Sequence, residues 1–180
     1  YVHGAAADDR ALPGLFEKSM ALLVRHPEAG LCTSRSMVIG KGGEALGEIW
    51  VPDLGAEPVF LDPDRSLAVL DRERSWFNGN TAFYRREALL AAGGFPPELG
   101  SFCDGFTCMV LARRHGACFI PEVLGAWRQT DGNYSSRART DPWLSLDIMG
   151  RAARLMRTTY RDLFPPAFVK RWERRWFLDL

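Results

Sequence analysis

Three places in this chain carry side chains whose type and spacing could do chemistry. Asp8 and Asp9 follow three alanines and precede the helix signals of "LPGLF". Neighbouring carboxylates raise each other's pKa unless solvent or a cation separates them, and as hard oxygen donors they suit Mg2+ or Mn2+. The same pair suits a solvated turn whose Asp caps the helix after it. Farther on, "WFNGNTAFYRR" sets Trp76 and Phe77 beside Asn78, Gly79 and Asn80. Aromatic faces there could stack on the C–H face of a sugar while the amides bond its hydroxyls. Lastly, "GGFPPELGSFCDGF" holds one carboxylate, Asp104, where a helix begins. A helix cap would be at home at such a position.

The elements around these residues must bring them together. "YVHGAAA" reads as a short strand ending in small residues, so Asp8 and Asp9 leave its carboxyl end. Pro13 suits the first turn of a helix, which Leu15, Phe16, Met20, Leu22 and Leu23 continue at helical spacing and "HPEAG" stops near His26. "AGLCTSRSMVIG" reads as a strand and "GKGGEALGE" as the turn after it. Residues 50–75, with Pro52, Pro58 and Pro63, read as a long loop with one short helix around 67–70; loops of this length often serve as lids or binding loops. The DxD string in "LDPDR" is broken by Pro63 and reads as a turn. "NTAFY" runs as a strand into the helix "RREALLAAGG", whose Arg85 and Arg86 start a solvated face. Asp104 as N-cap, Arg113, Arg114 and His115 in the last turn, and Gly116 beyond it bound the next helix. "ACFIPEVLGAWRQ" supplies one or two strands, and 143–163 and 167–178 are amphipathic helix. Strands alternating with helices make an α/β layer fold. Ligands of such folds sit at the carboxyl ends of strands, and both acidic sites fall at junctions of that kind.

Composition narrows the classes. A chain of 180 residues with 47% hydrophobic and 25% charged residues suits one globular domain with a sizeable core. A net charge of +1 argues against a nucleic-acid partner. Residues 1–150 carry 15 basic and 19 acidic side chains, whereas 151–180 carry 8 and 3, so the tail is a separate electrostatic unit. We therefore divide the chain into an α/β part, 1–140, and a helical basic and aromatic tail, 141–180. In the tail, Phe168, Trp172 and Trp176 recur every four residues among Lys170, Arg171, Arg174 and Arg175. Such a helix suits peripheral membrane contact through 168–178 or packing of its aromatic face on the domain with the arginines in water; packing is the preferred reading. Cys32, Cys103, Cys108 and Cys118 form no CxxC pair, and His3, His26 and His115 have no metal-like spacing. Buried thiols in a reducing compartment are expected, and there "NYS" at 133–135 has no meaning as a glycosylation acceptor. No apolar run is long enough to span a bilayer. "YVHGAAADD" has neither a signal peptide's pattern nor an initiator Met, and reads as the middle of something longer.

Taken in order, "ADD…LP…F", "GNTAFYRREALLAAGGF" and "D…LARRHG…IPEVLGAWRQ" make a series that resembles the second half of a family 2 glycosyltransferase, over roughly residues 1–135. The resemblance implies a partial GT-A-like layered α/β fold followed by C-terminal helices. It implies an inverting, hexosyltransferase-like enzyme that moves a sugar from a nucleotide-sugar donor to a hydroxyl of a glycan or lipid-linked acceptor. Such enzymes build cell-envelope polysaccharide in the cytoplasm, at the inner face of the membrane. "ADD" corresponds to the family's DxD-type motif, so Asp8 and Asp9 would bind the donor through a divalent cation, Mn2+ or Mg2+, with either as its ligand. Asp104 corresponds to the base that deprotonates the acceptor, and Trp76, Asn78, Gly79 and Arg128 to acceptor-side residues.

Three departures accompany the resemblance. Cys103 stands where the family often has Glu before the base, and Gln129 and Thr130 follow Arg128 where it often has a metal-binding His. The family's opening strand and nucleotide-binding loop have no counterpart here, so a truncated piece with poor donor turnover is expected. The competing reading is a non-catalytic carbohydrate-binding or partner-binding α/β fragment.

Overall fold

The fold is given by a computed structural model that describes residues 1–73, 75–130 and 141–178. The "NYS" at 133–135 and the junction before the tail at 140 lie outside the described residues. Among the described residues seven strands form one mixed sheet: β1 (Val2–His3), β2 (Arg10–Ala11), β3 (Leu31–Ile39), β4 (Ala45–Glu48), β5 (Val59–Leu61), β6 (Phe83–Tyr84) and β7 (Ala117–Arg128). Their order is β1-β6-β3-β7-β2, with β4 also on β3 and β5 also on β7. β3 and β7 are parallel, and the other described pairs are antiparallel. Two antiparallel steps, β1 to β6 and β6 to β3, leave β1 running in the same direction as β3 and β7.

Side chains on a strand alternate between its faces, and that alternation builds two cores. Cys32, Phe83, Cys118 and Ile120 point to one face, where α1 (Leu15–Arg25) covers them with Leu15, Leu22 and Leu23. Leu31, Tyr84, Ala117 and Phe119, one residue out of step, point to the other. That larger core receives α2 (Pro63–Arg72), α3 (Arg86–Ala91), α4 (Cys103–His115), α5 (Pro142–Arg157) and α6 (Pro166–Leu178). α4 is buried from Phe106 through Ala112 on all sides, Thr107 included, whose hydroxyl donates to the carbonyl of Gly94. The result is a mixed α/β fold with helices on both faces of the sheet.

Several local expectations change. Residues 50–75 contain β5 and a ten-residue α2. Asp62 of "LDPDR" N-caps α2, its carboxylate accepting the amides of Asp64 and Arg65, while Pro63 takes the first helical position, where its missing N–H costs nothing. "GKGGEALGE" is a turn followed by β4, which pairs with β3. "ACFIPEVLGAWRQ" is one strand, and Pro121 falls where the β3–β7 register slips, so its lack of a donor breaks no ladder. The predicted helix over 143–163 ends at Arg157.

The aromatic face of the tail packs inward, as preferred. Phe168, Val169 and Trp172 are buried in the larger core, while Arg171 pairs with Asp71 at 2.6 Å and Arg175 donates to the carbonyls of Leu70 and Glu73. All four cysteines are free thiols. No described helix is long and apolar enough to cross a membrane.

Candidate functional site

The loop at residues 4–9 leaves the carboxyl end of β1, and Arg128 closes the carboxyl end of β7. α4 meets the amino end of β7 through Gly116, so its own N-terminus points back toward the same side of the sheet. Between these parts lies a cleft of about 740 Å³. It is lined by Asp8, Asp9, Asn78, Gly79, Asp104 and Arg128, which is every expected site residue except Trp76.

Asp9 is held in place. Its Oδ1 accepts the backbone amide of Arg128 at 2.9 Å, and its own amide closes a turn onto the carbonyl of Ala6. Burial pushes the Asp9 carboxyl above its ordinary range, the amide of Arg128 pulls it back, and the charge of Asp8 beside it pushes it up again. Asp8 is exposed. The guanidinium of Arg128 binds three backbone carbonyls: Nε donates to Asp8 at 3.0 Å, and Nη1 to Gly40 and Lys41 at 2.8 Å each. Arg128 therefore clamps the acidic loop to the β3–β4 turn as well as lining the cleft.

Asp104 is the second residue of α4, two places past the N-cap, which is Phe102. The capping reading gives way to a different contact: Oδ1 accepts the amide of Gly105, its own neighbour, at 2.7 Å. Burial pushes the Asp104 carboxyl above the usual carboxylate range, opposed by that amide bond. Gly79 lies against the other carboxylate oxygen, and a Cβ on Gly79 would collide with Oδ2.

The turn that carries Gly79 is a short 3-10 helix, Gly79–Thr81, riveted to β3 by side chains. Asn78 Nδ2 donates to the carbonyl of Ser34 at 2.9 Å, Thr81 Oγ1 accepts the amide of Ser34 at 3.0 Å, and Asn80 Nδ2 donates to Ser36 Oγ at 2.9 Å. These bonds meet β3 where its register with β7 slips, and those of Asn78 and Thr81 occupy the backbone groups of Ser34 there. Asn78 thus borders the cleft with its NH2 group committed to the fold.

Trp76 is a correction. Its ring is fully buried in the larger core, and Phe77, with its ring centroid 4.3 Å from that of Trp76, lines the cleft in its place. The two rings pack against each other, Trp76 enclosed in the larger core and Phe77 half-buried at its edge. Tyr84, Phe95 and Trp127 complete an aromatic lining that the sequence did not single out. Phe95 packs edge-on against Tyr84, at a centroid distance of 5.4 Å. The only hints were positional: Trp127 precedes Arg128, and Phe95 follows the "GG" that ends α3.

Among the described residues, no three His, Cys, Asp or Glu side chains converge as a metal-holding group. The donor set at Asp8 and Asp9 is two adjacent carboxylates, one exposed and one half-buried, which fits the way Mg2+ is commonly held, by one or two carboxylates with substrate phosphates completing the shell. No family model matches the chain, and no curated protein matches it.

Proposed function

We propose that this cleft is the active site of an inverting glycosyltransferase with a GT-A-like fold, moving a sugar from a nucleotide-sugar donor to a hydroxyl of a glycan or lipid-linked acceptor. One observation carries the reading. Six of the seven residues singled out in the sequence, from four separated segments, line a single cleft at the carboxyl ends of co-directional strands. Its volume is that of a small-molecule site. Its aromatic walls suit sugar C–H faces, and its carboxylates suit a cation and a proton.

In this reading Asp104 accepts the proton of the acceptor hydroxyl. The freed oxygen attacks the anomeric carbon from the face opposite the diphosphate. A carbon–oxygen bond forms there as the bond to the diphosphate breaks, the electron pair leaves with the nucleoside diphosphate, and the configuration inverts. Asp8 and Asp9 would hold a divalent cation, which when bound neutralises charge on the leaving diphosphate. Arg128 keeps the acidic loop in register with β7.

The test is calorimetry of nucleoside diphosphate binding in the presence of Mn2+, on the parent and on the Asp8→Asn/Asp9→Asn variant. Asn at position 9 can still accept the amide of Arg128, so the loop should stay folded, while the net charge that attracts a divalent ion is gone. We expect Mn2+-dependent binding, and the rise in melting temperature that accompanies it, to disappear in the variant. Equal affinity in both proteins rejects the donor site. Saccharide binding with no nucleotide binding by the parent would favour a carbohydrate-binding module instead.

A further inference from the structure

Gly79 needs explaining, because its backbone does not. It is not among the glycines with positive φ, so alanine could adopt its conformation without strain. What requires glycine is space: a Cβ there would collide with Asp104 Oδ2. The wall is also stiff, because the turn bearing Gly79 is bonded to β3 by Asn78, Asn80 and Thr81. The opposite oxygen of the same carboxylate, Oδ1, is held by the amide of Gly105. The carboxylate is thus set between a helix amide on one side and a bare Cα on the other.

We infer that Gly79 is a positioning residue for Asp104: the missing side chain at 79 admits the carboxylate into the cleft wall and fixes the direction in which Oδ2 faces the acceptor. This deepens the proposed function and rests on it for its catalytic meaning, but the placement itself can be read without any activity. A methyl group at 79 should turn the Asp104 carboxylate outward, because an Asp side chain moves about its own bonds more readily than a turn fastened by buried hydrogen bonds. Acceptor geometry is lost while the cation and donor residues are untouched, so kcat should fall with little change in donor KM.

The experiment uses Gly79→Ala in the full chain with two readouts. Carbon-13 NMR of the Asp104 carboxyl, titrated against pH and assigned with Asp104→Asn, reports placement. We expect the resonance to move and its midpoint to fall toward an ordinary carboxylate as the group gains water. An unchanged resonance and midpoint overturn the inference, whatever the enzyme does. Kinetics then report meaning: kcat should drop about 10- to 100-fold, in line with the sensitivity of catalysis to small misplacement. Adding the substitution to Asp104→Asn should cost nothing further, since the two act as a unit. An equal further loss in that background overturns the positioning role. A shifted resonance in a chain that neither binds a nucleoside diphosphate with Mn2+ nor transfers sugar keeps the placement and rejects the proposed function alone. Should Gly79→Ala fail to fold, the Gly79→Ala/Asp104→Ser variant decides: recovery of the fold assigns the collision to the carboxylate, and continued failure overturns the inference.

Discussion

In the proposed mechanism Asp104 joins two roles at one residue, a hydrogen bond in the first turn of a helix and the acceptance of a proton, and a single substitution separates them. Asn can still accept the amide of Gly105 through Oδ1, so Asp104→Asn should keep α4 intact. Because burial raises the folded-state pKa, the ionised carboxylate costs stability at pH values above it; removing that charge should leave the melting temperature equal or slightly higher. Asn cannot accept a proton at neutral pH, so the rate should fall by about 10²–10⁴-fold. A variant within about threefold of the parent rate at unchanged melting temperature would remove the base from the mechanism. The pH profile of the parent gives a second measurement. A base works only when ionised, so kcat/KM should be present above the Asp104 pKa and lost as pH falls through it. That acid limb should lie above the unperturbed value of 3.8, and a limb at or below that value would contradict the assignment. The carboxylates themselves were readable in the sequence because acidic residues at strand and helix junctions stand out. Asp104 as an N-cap was misplaced by two residues, since "SFCDGF" offers no stronger capping side chain and the true N-cap, Phe102, uses none.

At the scale of elements, the 3-10 turn at Gly79–Thr81 substitutes side chains for a sheet partner. Thr81 Oγ1 accepts the amide of Ser34, and its hydroxyl reaches the carbonyls of Ser34 and Asn78, all of it buried. Thr81→Val keeps the shape and removes those bonds, leaving a buried amide unpaired. The expected cost is about 1–3 kcal/mol, read as a lower urea midpoint at unchanged slope. A loss under about 0.5 kcal/mol would mean that the turn is held by its packing alone. The sequence showed amides in "NGNT" and suggested that they bind ligand; it could not show that two of them are used on β3, because their partners, Ser34 and Ser36, lie 44 residues away. Helix α2 had the opposite fate. Its Asp62-Pro63 start is a strong local signal, obscured by the mixed charge and prolines around it.

Across the whole molecule, the basic tail shares the core of the α/β part. Trp172 is 6% exposed and packs near Phe102, which adjoins the start of α4. Trp172→Ala should therefore destabilise the entire chain by about 3–5 kcal/mol. Denaturation followed by far-ultraviolet circular dichroism and by tryptophan fluorescence should give coincident transitions. Two separated transitions, with only the first moved by the substitution, would show the C-terminal helices folding by themselves. The outward arginines should contribute little by comparison, because the pair of Arg171 with Asp71 is solvated and screened by water.

What the sequence determined alone were the features set by local physics. The apolar spacing of α1, the basic last turn and Gly116 stop of α4, the alternation of strands and helices and the acidic residues at junctions all follow from neighbours within a turn or two. Tertiary structure decided that, of two adjacent and mutually packed aromatics, Trp76 is enclosed in the core and Phe77 borders the cleft, because that depends on what the distant parts of the chain lay against each ring. It decided that Arg128 clamps backbone carbonyls at positions 8, 40 and 41, up to 120 residues distant. It also decided that Gly79 is needed for the room it leaves beside Asp104 and not for its backbone freedom, a distinction that exists only once two segments 25 residues apart are brought into contact.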